Sequence, residues 1–188
     1  AFVPEKIRGL LEEMREEGLL GQSAESVMRR FTMTAALKKV EDAEIVFESV
    51  TEDIELKRQL LRDVEHVVSA DCILASNTSA LPVSLLQEGA EHPERILGVH
   101  CDEPAHVTRF KEIIPGSWTS MEYLDRIAEL APLWGKEPSV LRKEIRGFIT
   151  NRISYAMFRE ACHLVESGVC TVEDVDRSLR NDVGWWMP

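Results

Sequence analysis

His100 and Glu112 have the types and the separation to move a proton at neutral pH, provided neighbouring strands bring them together. Imidazole titrates near neutrality, so it can take a proton from an alcohol. A carboxylate on its far nitrogen fixes the tautomer and stabilises the imidazolium. Oxidation of a secondary alcohol needs such a base while hydride leaves the carbon. His106, on the intervening connection, is a competing base, whereas His66, His92 and His163 fall on predicted helices or loops and read as surface or packing residues. Ser76-Asn77-Thr78-Ser79 closes a predicted strand. Short polar side chains at the carboxyl end of a parallel strand can reach a cofactor and a substrate, and the same residue types also suit a turn and helix cap. Asn151 lies in Gly147-Phe148-Ile149-Thr150-Asn151-Arg152, which opens a long predicted helix. There it can donate to a substrate oxygen near the positive helix end, or simply supply helix-start polarity.

Alternating strands and helices must hold these residues. Apolar residues at helical spacing predict a helix from Pro4 to Leu20, ended by Gly18 and Gly21, and a second from Ser23 to about Phe31. Phe31 to Thr34 is β-prone, and a brief helix follows over Ala35 to Val40. Glu44–Val50, Cys72–Ser76, Arg95–His100 and Phe110–Ile114 read as strands, with a further β-like stretch at Ser139 to Leu141. Asp53–Val68, Pro82–Glu88 and Met121–Trp134 read as the helices among them. This alternation predicts a largely parallel sheet covered on both faces. From Gly147 the pattern is helical throughout, and Thr171-x-x-Asp174 resembles a capping box. The chain therefore divides near residue 145 into an α/β part and an all-helical part.

Composition narrows the function classes. The 188 residues carry a net charge of −11 and show no basic stripe with interleaved aromatics, which argues against a nucleic-acid partner. No apolar run reaches membrane-spanning length, and no signal-peptide pattern opens the chain. The expected location is cytoplasmic, and the four dispersed cysteines are expected to be reduced and mostly buried, without a metal site.

In order along the chain stand Val-x-Glu52-Asp53-x-Glu-Leu-Lys57, Ala-Ser-Asn77-Thr-Ser79, Gly-Val-His100 with Glu112, and Gly-Phe-Ile-Thr-Asn151-Arg. This series resembles the 3-hydroxyacyl-CoA dehydrogenase superfamily, including its L-gulonate 3-dehydrogenase (lambda-crystallin) branch, over nearly the whole chain. The resemblance implies a partial Rossmann-like domain, lacking its first βαβ unit, over residues 1–145 and the start of a helical substrate and dimerisation domain over 146–188. It implies NAD as cofactor, a homodimeric parent protein and a small-molecule substrate. It also implies that His100 is the general base and Glu112 its orienting partner, with Ser79 and Asn151 donating to the reacting substrate oxygens. Glu52, Lys57 and Asn77 would line the nicotinamide end of the cofactor site, which Ser79 also adjoins.

Two departures accompany it. The family's His-Phe-x-Asn-Pro becomes His100-Cys101-Asp102-Glu103-Pro104, so the acid Glu103 replaces an asparagine near the nicotinamide. The polar run Ala105-His106-Val107-Thr108-Arg109 then stands where acyl-CoA members are apolar, which would suit a small carboxylate substrate. The second departure is that no Gly-x-Gly-x-x-Gly occurs in the chain. That loop cradles the pyrophosphate in this fold and is expected upstream of Ala1. The opening without methionine and the close on Trp185-Trp186-Met187-Pro188 read as cuts through a longer protein, the tryptophan pair belonging to a core or interface completed elsewhere. The leading expectation is NAD-dependent oxidation of a 3-hydroxyacyl-CoA. A small sugar-acid or hydroxy-acid dehydrogenase is the alternative, and a non-catalytic structural relative or fragment is the alternative from another class.

Overall fold

The computed structural model describes residues 2–185, so Ala1 and Trp186 to Pro188, together with the Phe2 and Trp185 side chains and the role expected of the tryptophan pair, lie outside the described residues. Two compact units are present, Ala1–Arg146 and Gly147–Pro188.

The first unit is built on a five-stranded sheet: β1 (Ile45–Glu48), β2 (Ile73–Ser76), β3 (Ile96–His100), β4 (Phe110–Pro115) and β5 (Glu137–Val140), ordered as they occur in the chain. Three of the four pairings are parallel; β3 with β4 is antiparallel. The nine positions between β3 and β4 hold no helix, and a parallel return needs a crossover of a dozen residues or more. Strands β2 and β3 are buried along their whole length because helices cover both faces, which explains their continuous apolar runs.

One face packs Ile73, Ala75, Leu97, Val99 and Ile113 against Leu124 and Ile127 of an amphipathic helix over Met121–Leu130. The predicted Met121–Trp134 helix changes at Pro132, whose missing N–H favours a 3-10 turn over Ala131–Trp134. On the other face the short helix Val83–Leu86 crosses Gly98. A β-carbon at Gly98 would lie 3.0 Å from Val83 Cγ2 and 3.1 Å from Ile114 Cβ, so glycine sets that close approach. The helix Ile54–Glu65 begins at Asp53, whose carboxylate accepts from the Leu56 amide at 2.9 Å.

Two local expectations need correction. Phe31 to Thr34 is exposed and forms no strand, since no neighbouring strand offers it a partner among the described residues. The thiols are free, as expected, yet only Cys72 is buried; Cys101 and Cys170 are half-buried and Cys162 is exposed. Cys162 lies on a helix of the second unit that contains no fully buried residue, which accounts for its exposure.

The second unit holds the helices Thr150–Glu166 and Val172–Asn181. Thr171 and Asp174 form a reciprocal capping box at the start of the latter. Ile153, Tyr155, Phe158 and Val172 on these helices are exposed. No described helix is long and apolar enough to cross a membrane.

The close approach at Gly98 gives a direct stability test. Gly98→Val should lower the unfolding free energy by about 1–3 kcal/mol through overpacking, read as a shifted urea midpoint. An unchanged midpoint would contradict the packing described.

Candidate functional site

The antiparallel register sets His100 directly opposite Glu112 across β3 and β4. Their side chains meet at 2.9 Å between Nδ1 and Oε2, with Glu112 fully buried and His100 nearly so. Phe110 stands edge-on to the imidazole, with ring centroids 6.2 Å apart. A carboxylate on Nδ1 favours the tautomer with its proton there and leaves the lone pair on Nε2, the arrangement a general base requires. His106, the competing base, instead approaches Glu13 of the first helix (Phe2–Glu16), with 3.3 Å between Nε2 and the carboxylate.

Asn77 and Ser79 follow β2. Asn77 donates its amide to the Glu48 carbonyl at 2.8 Å, and its side-chain oxygen accepts from the Cys101 amide at 2.9 Å. It therefore ties the ends of β1, β2 and β3 together. Ser79 is exposed on the following turn, and its amide donates to Glu52 Oε1 at 3.0 Å. Glu103 is exposed on the loop after β3. Asn151 is the second residue of the Thr150–Glu166 helix, in the second unit. That helix is entered through Gly147 and Phe148, both at positive φ (77° and 52°).

Lys57 lies away from solvent. Its ammonium donates to both oxygens of Glu48 at 2.8 and 3.0 Å and to the Val50 carbonyl at 3.1 Å, and stands 3.4 Å from Glu52. Ser76 donates its hydroxyl to the same Glu48 carboxylate, and the Val50 amide donates to it at 2.6 Å. Sequence reasoning passed over Glu48, although an acid closing an otherwise apolar strand, nine residues before Lys57, was the available signal. Burial pushes the Glu52 carboxyl upward, but hydrogen bonds from Thr78 and Ala80, the Lys57 charge and the Ser79 amide outweigh it and hold the group below its ordinary value.

The loop from Cys101 to Arg109 is tethered by Lys136, which donates to the Ala105 carbonyl at 2.6 Å and to the Thr108 carbonyl. Burial and the Lys111 charge lower the Lys136 ammonium's pKa. Arg109 forms an exposed ion pair with Glu137 at 2.6 Å. The guanidinium at the end of this loop thus already faces a carboxylate. At the opposite, amino ends of β1 and β2 lies a 560 Å³ cleft whose lining includes Asp42, Glu44, Asp71 and Tyr123. It stands away from the carboxyl strand ends that carry the polar set.

Residues 2–145 match the model of the 3-hydroxyacyl-CoA dehydrogenase NAD binding domain, and residues 147–188 match that of the C-terminal domain. The chain belongs to the 3-hydroxyacyl-CoA dehydrogenase family. Among its relatives, 5-formyl-3-hydroxy-2-methylpyridine 4-carboxylate 5-dehydrogenase of Mesorhizobium japonicum is 36% identical, over 78% of this chain and 47% of that protein. L-carnitine dehydrogenase of Oceanobacillus iheyensis is 35% identical, over 77% and 47%. The crystal structure of 3-hydroxybutyryl-CoA dehydrogenase from Escherichia coli K12 superposes with a TM-score of 0.88 at 27% identity, covering 95% of this chain and 38% of that one. The chain spans about half the length of the curated relatives it matches.

The family's dinucleotide-binding architecture is present as a mostly parallel sheet with polar side chains at its carboxyl ends. The Glu48–Lys57 pair is the buried charge on which those ends rest. Lys57→Met should cost about 3–5 kcal/mol by leaving a buried carboxylate uncompensated. The double variant Glu48→Gln/Lys57→Met should regain much of that loss. Denaturant unfolding reads both, and a single variant as stable as wild type would contradict the pair's role.

Proposed function

We propose that this chain carries the substrate-side residues of an NAD-dependent dehydrogenase that oxidises a secondary alcohol at the 3-position of an acyl or carboxylic-acid substrate. The observation that carries the reading is the His100–Glu112 contact at 2.9 Å, at the carboxyl end of a strand in a family of NAD-binding domains. NAD, when bound, supplies the hydride acceptor. The polar strand ends fit its nicotinamide end through Asn77, Ser79 and the exposed Glu103, while Lys57 acts from behind Glu52. The glycine-rich phosphate loop is not part of this sequence.

In this reading His100 takes the substrate hydroxyl proton on Nε2. Glu112 holds the ring through Nδ1 and stabilises the imidazolium as charge develops there. Ser79 and Asn151 donate hydrogen bonds to the reacting oxygens. The exposed apolar residues of the second unit suit a homodimeric parent protein. Intact Ser79, His100, Glu112 and Asn151 favour an enzyme over a non-catalytic relative.

For the substrate, 3-hydroxyacyl-CoA is the leading class. Small 3-hydroxy acids form a second reading, favoured by a relative named L-carnitine dehydrogenase. The polar loop gives it less support, since Arg109 is already paired with Glu137 and His106 stands beside Glu13.

Activity with NAD should be measured on the complete encoded protein, using 3-hydroxyacyl-CoAs of graded length and small 3-hydroxy acids. His100→Gln should lower kcat by about 10²–10⁴-fold while NADH affinity, read by fluorescence, holds. Unchanged kcat in that variant would sink the proposed base. Preference for small acids over every acyl-CoA would select the second reading.

A further inference from the structure

Glu52 gathers the turn that follows β2 onto one carboxylate oxygen. Its Oε1 accepts the Thr78 hydroxyl, the Ser79 amide at 3.0 Å and the Ala80 amide at 3.2 Å. Thr78 is fully buried, and its hydroxyl oxygen accepts in turn from the Leu81 amide at 2.9 Å, which closes the turn on itself. The other carboxylate oxygen, Oε2, stands 3.4 Å from the Lys57 ammonium, and that ammonium is anchored in the fully buried pair with Glu48 at the end of β1. A continuous line of charge therefore runs from Glu48 through Lys57 and Glu52 to the backbone of Ser79. One carboxylate oxygen accepting three donors is strongly directional, since charge-assisted hydrogen bonds are short and about twice as strong as neutral ones.

We infer that Glu52 is a positioning residue, backed by the Glu48–Lys57 pair, that orders the Thr78–Ala80 turn and so sets where Ser79 stands. This differs from a residue whose task is to touch the nicotinamide, and it rests on the reading of Ser79 as a donor to the substrate oxygen. The charged groups facing Glu52 are Lys57 on the Ile54–Glu65 helix and, behind it, Glu48; the turn itself contributes only hydroxyl and amide donors. Because the Glu52 carboxyl is held below its ordinary value, the turn should keep its order above the usual carboxylate range and lose it as pH falls through the lowered value.

The test is backbone amide exchange and a pH titration by NMR on the full chain, with no turnover required. Glu52→Ala removes the acceptor and should speed exchange at Ser79 and Ala80 by about tenfold or more, while amides of β2 keep their rates. Glu52→Gln keeps an acceptor oxygen and should restore most of the protection. In wild type, the Ser79 and Ala80 amide shifts should follow one carboxyl titrating at low pH, and this should vanish in Glu52→Gln. Unchanged exchange in Glu52→Ala would overturn the inference, as would loss of protection spread equally over β2, or amide shifts blind to the titration. Failure of the dehydrogenase reading would instead show as absent NAD-dependent turnover and would leave these amide results untouched.

Discussion

The antiparallel pairing of β3 with β4 is the constraint on which the site depends. Strands β1 to β3 run one way and bring their polar carboxyl ends to one edge. Had β4 continued parallel, its first residues would stand at the opposite edge, and Glu112 would lie far from the imidazole. Reversal after a short helix-free connection puts Glu112 in register with His100. The side-chain alternation of a strand then turns both groups to the same face. The histidine's chemistry is therefore set by backbone hydrogen bonding, and the fully buried carboxylate has the imidazole as its partner.

Charge burial at the neighbouring strand ends follows a related logic. Glu48 and Lys57 are both almost wholly removed from water, which is tolerable only because Ser76 and the Val50 backbone complete their hydrogen bonding. Such a pair adds little net stability over apolar residues of similar volume, but it fixes geometry, since one partner alone would be strongly unfavourable. Asn77 performs a neutral version of the same task, joining β1 to β3 across β2. The edge that faces the substrate in our reading is thus held by polar contacts, whereas the sheet behind it is held by apolar packing around Leu97, Val99 and Ile113.

Much of this was legible in the residues. The apolar runs mark β1 to β4, the β-like stretch at Ser139 to Leu141 overlaps only the end of β5, and the capping box at Thr171 and Asp174 follows directly from its spacing. His100 and Glu112 are legible as a pair because each falls on a predicted strand and the strands are consecutive. The reversal of β4 was less visible, since alternation of strands and helices argues for parallel pairing; the short connection was the contrary signal. The burial of Lys57 is not legible in the sequence, because a lysine four positions into a helix ordinarily reaches solvent. Its burial depends on Glu48, a contact between two elements that helix periodicity does not encode. The placement of Ser79 likewise depends on Glu52, which lies before a different helix. Local patterns report which elements form, while these charge contacts arise only after the elements have packed.

The state of the His100 ring decides the role of the pair, and ¹⁵N NMR of the imidazole nitrogens reads it directly, in wild type and in Glu112→Gln. We expect neutral His100 to carry its proton on Nδ1 with a lone pair on Nε2, and that bias to weaken when the carboxylate is replaced. A wild-type ring protonated on Nε2, or a tautomer balance indifferent to Glu112, would contradict the assignment of His100 as the base that Glu112 orients.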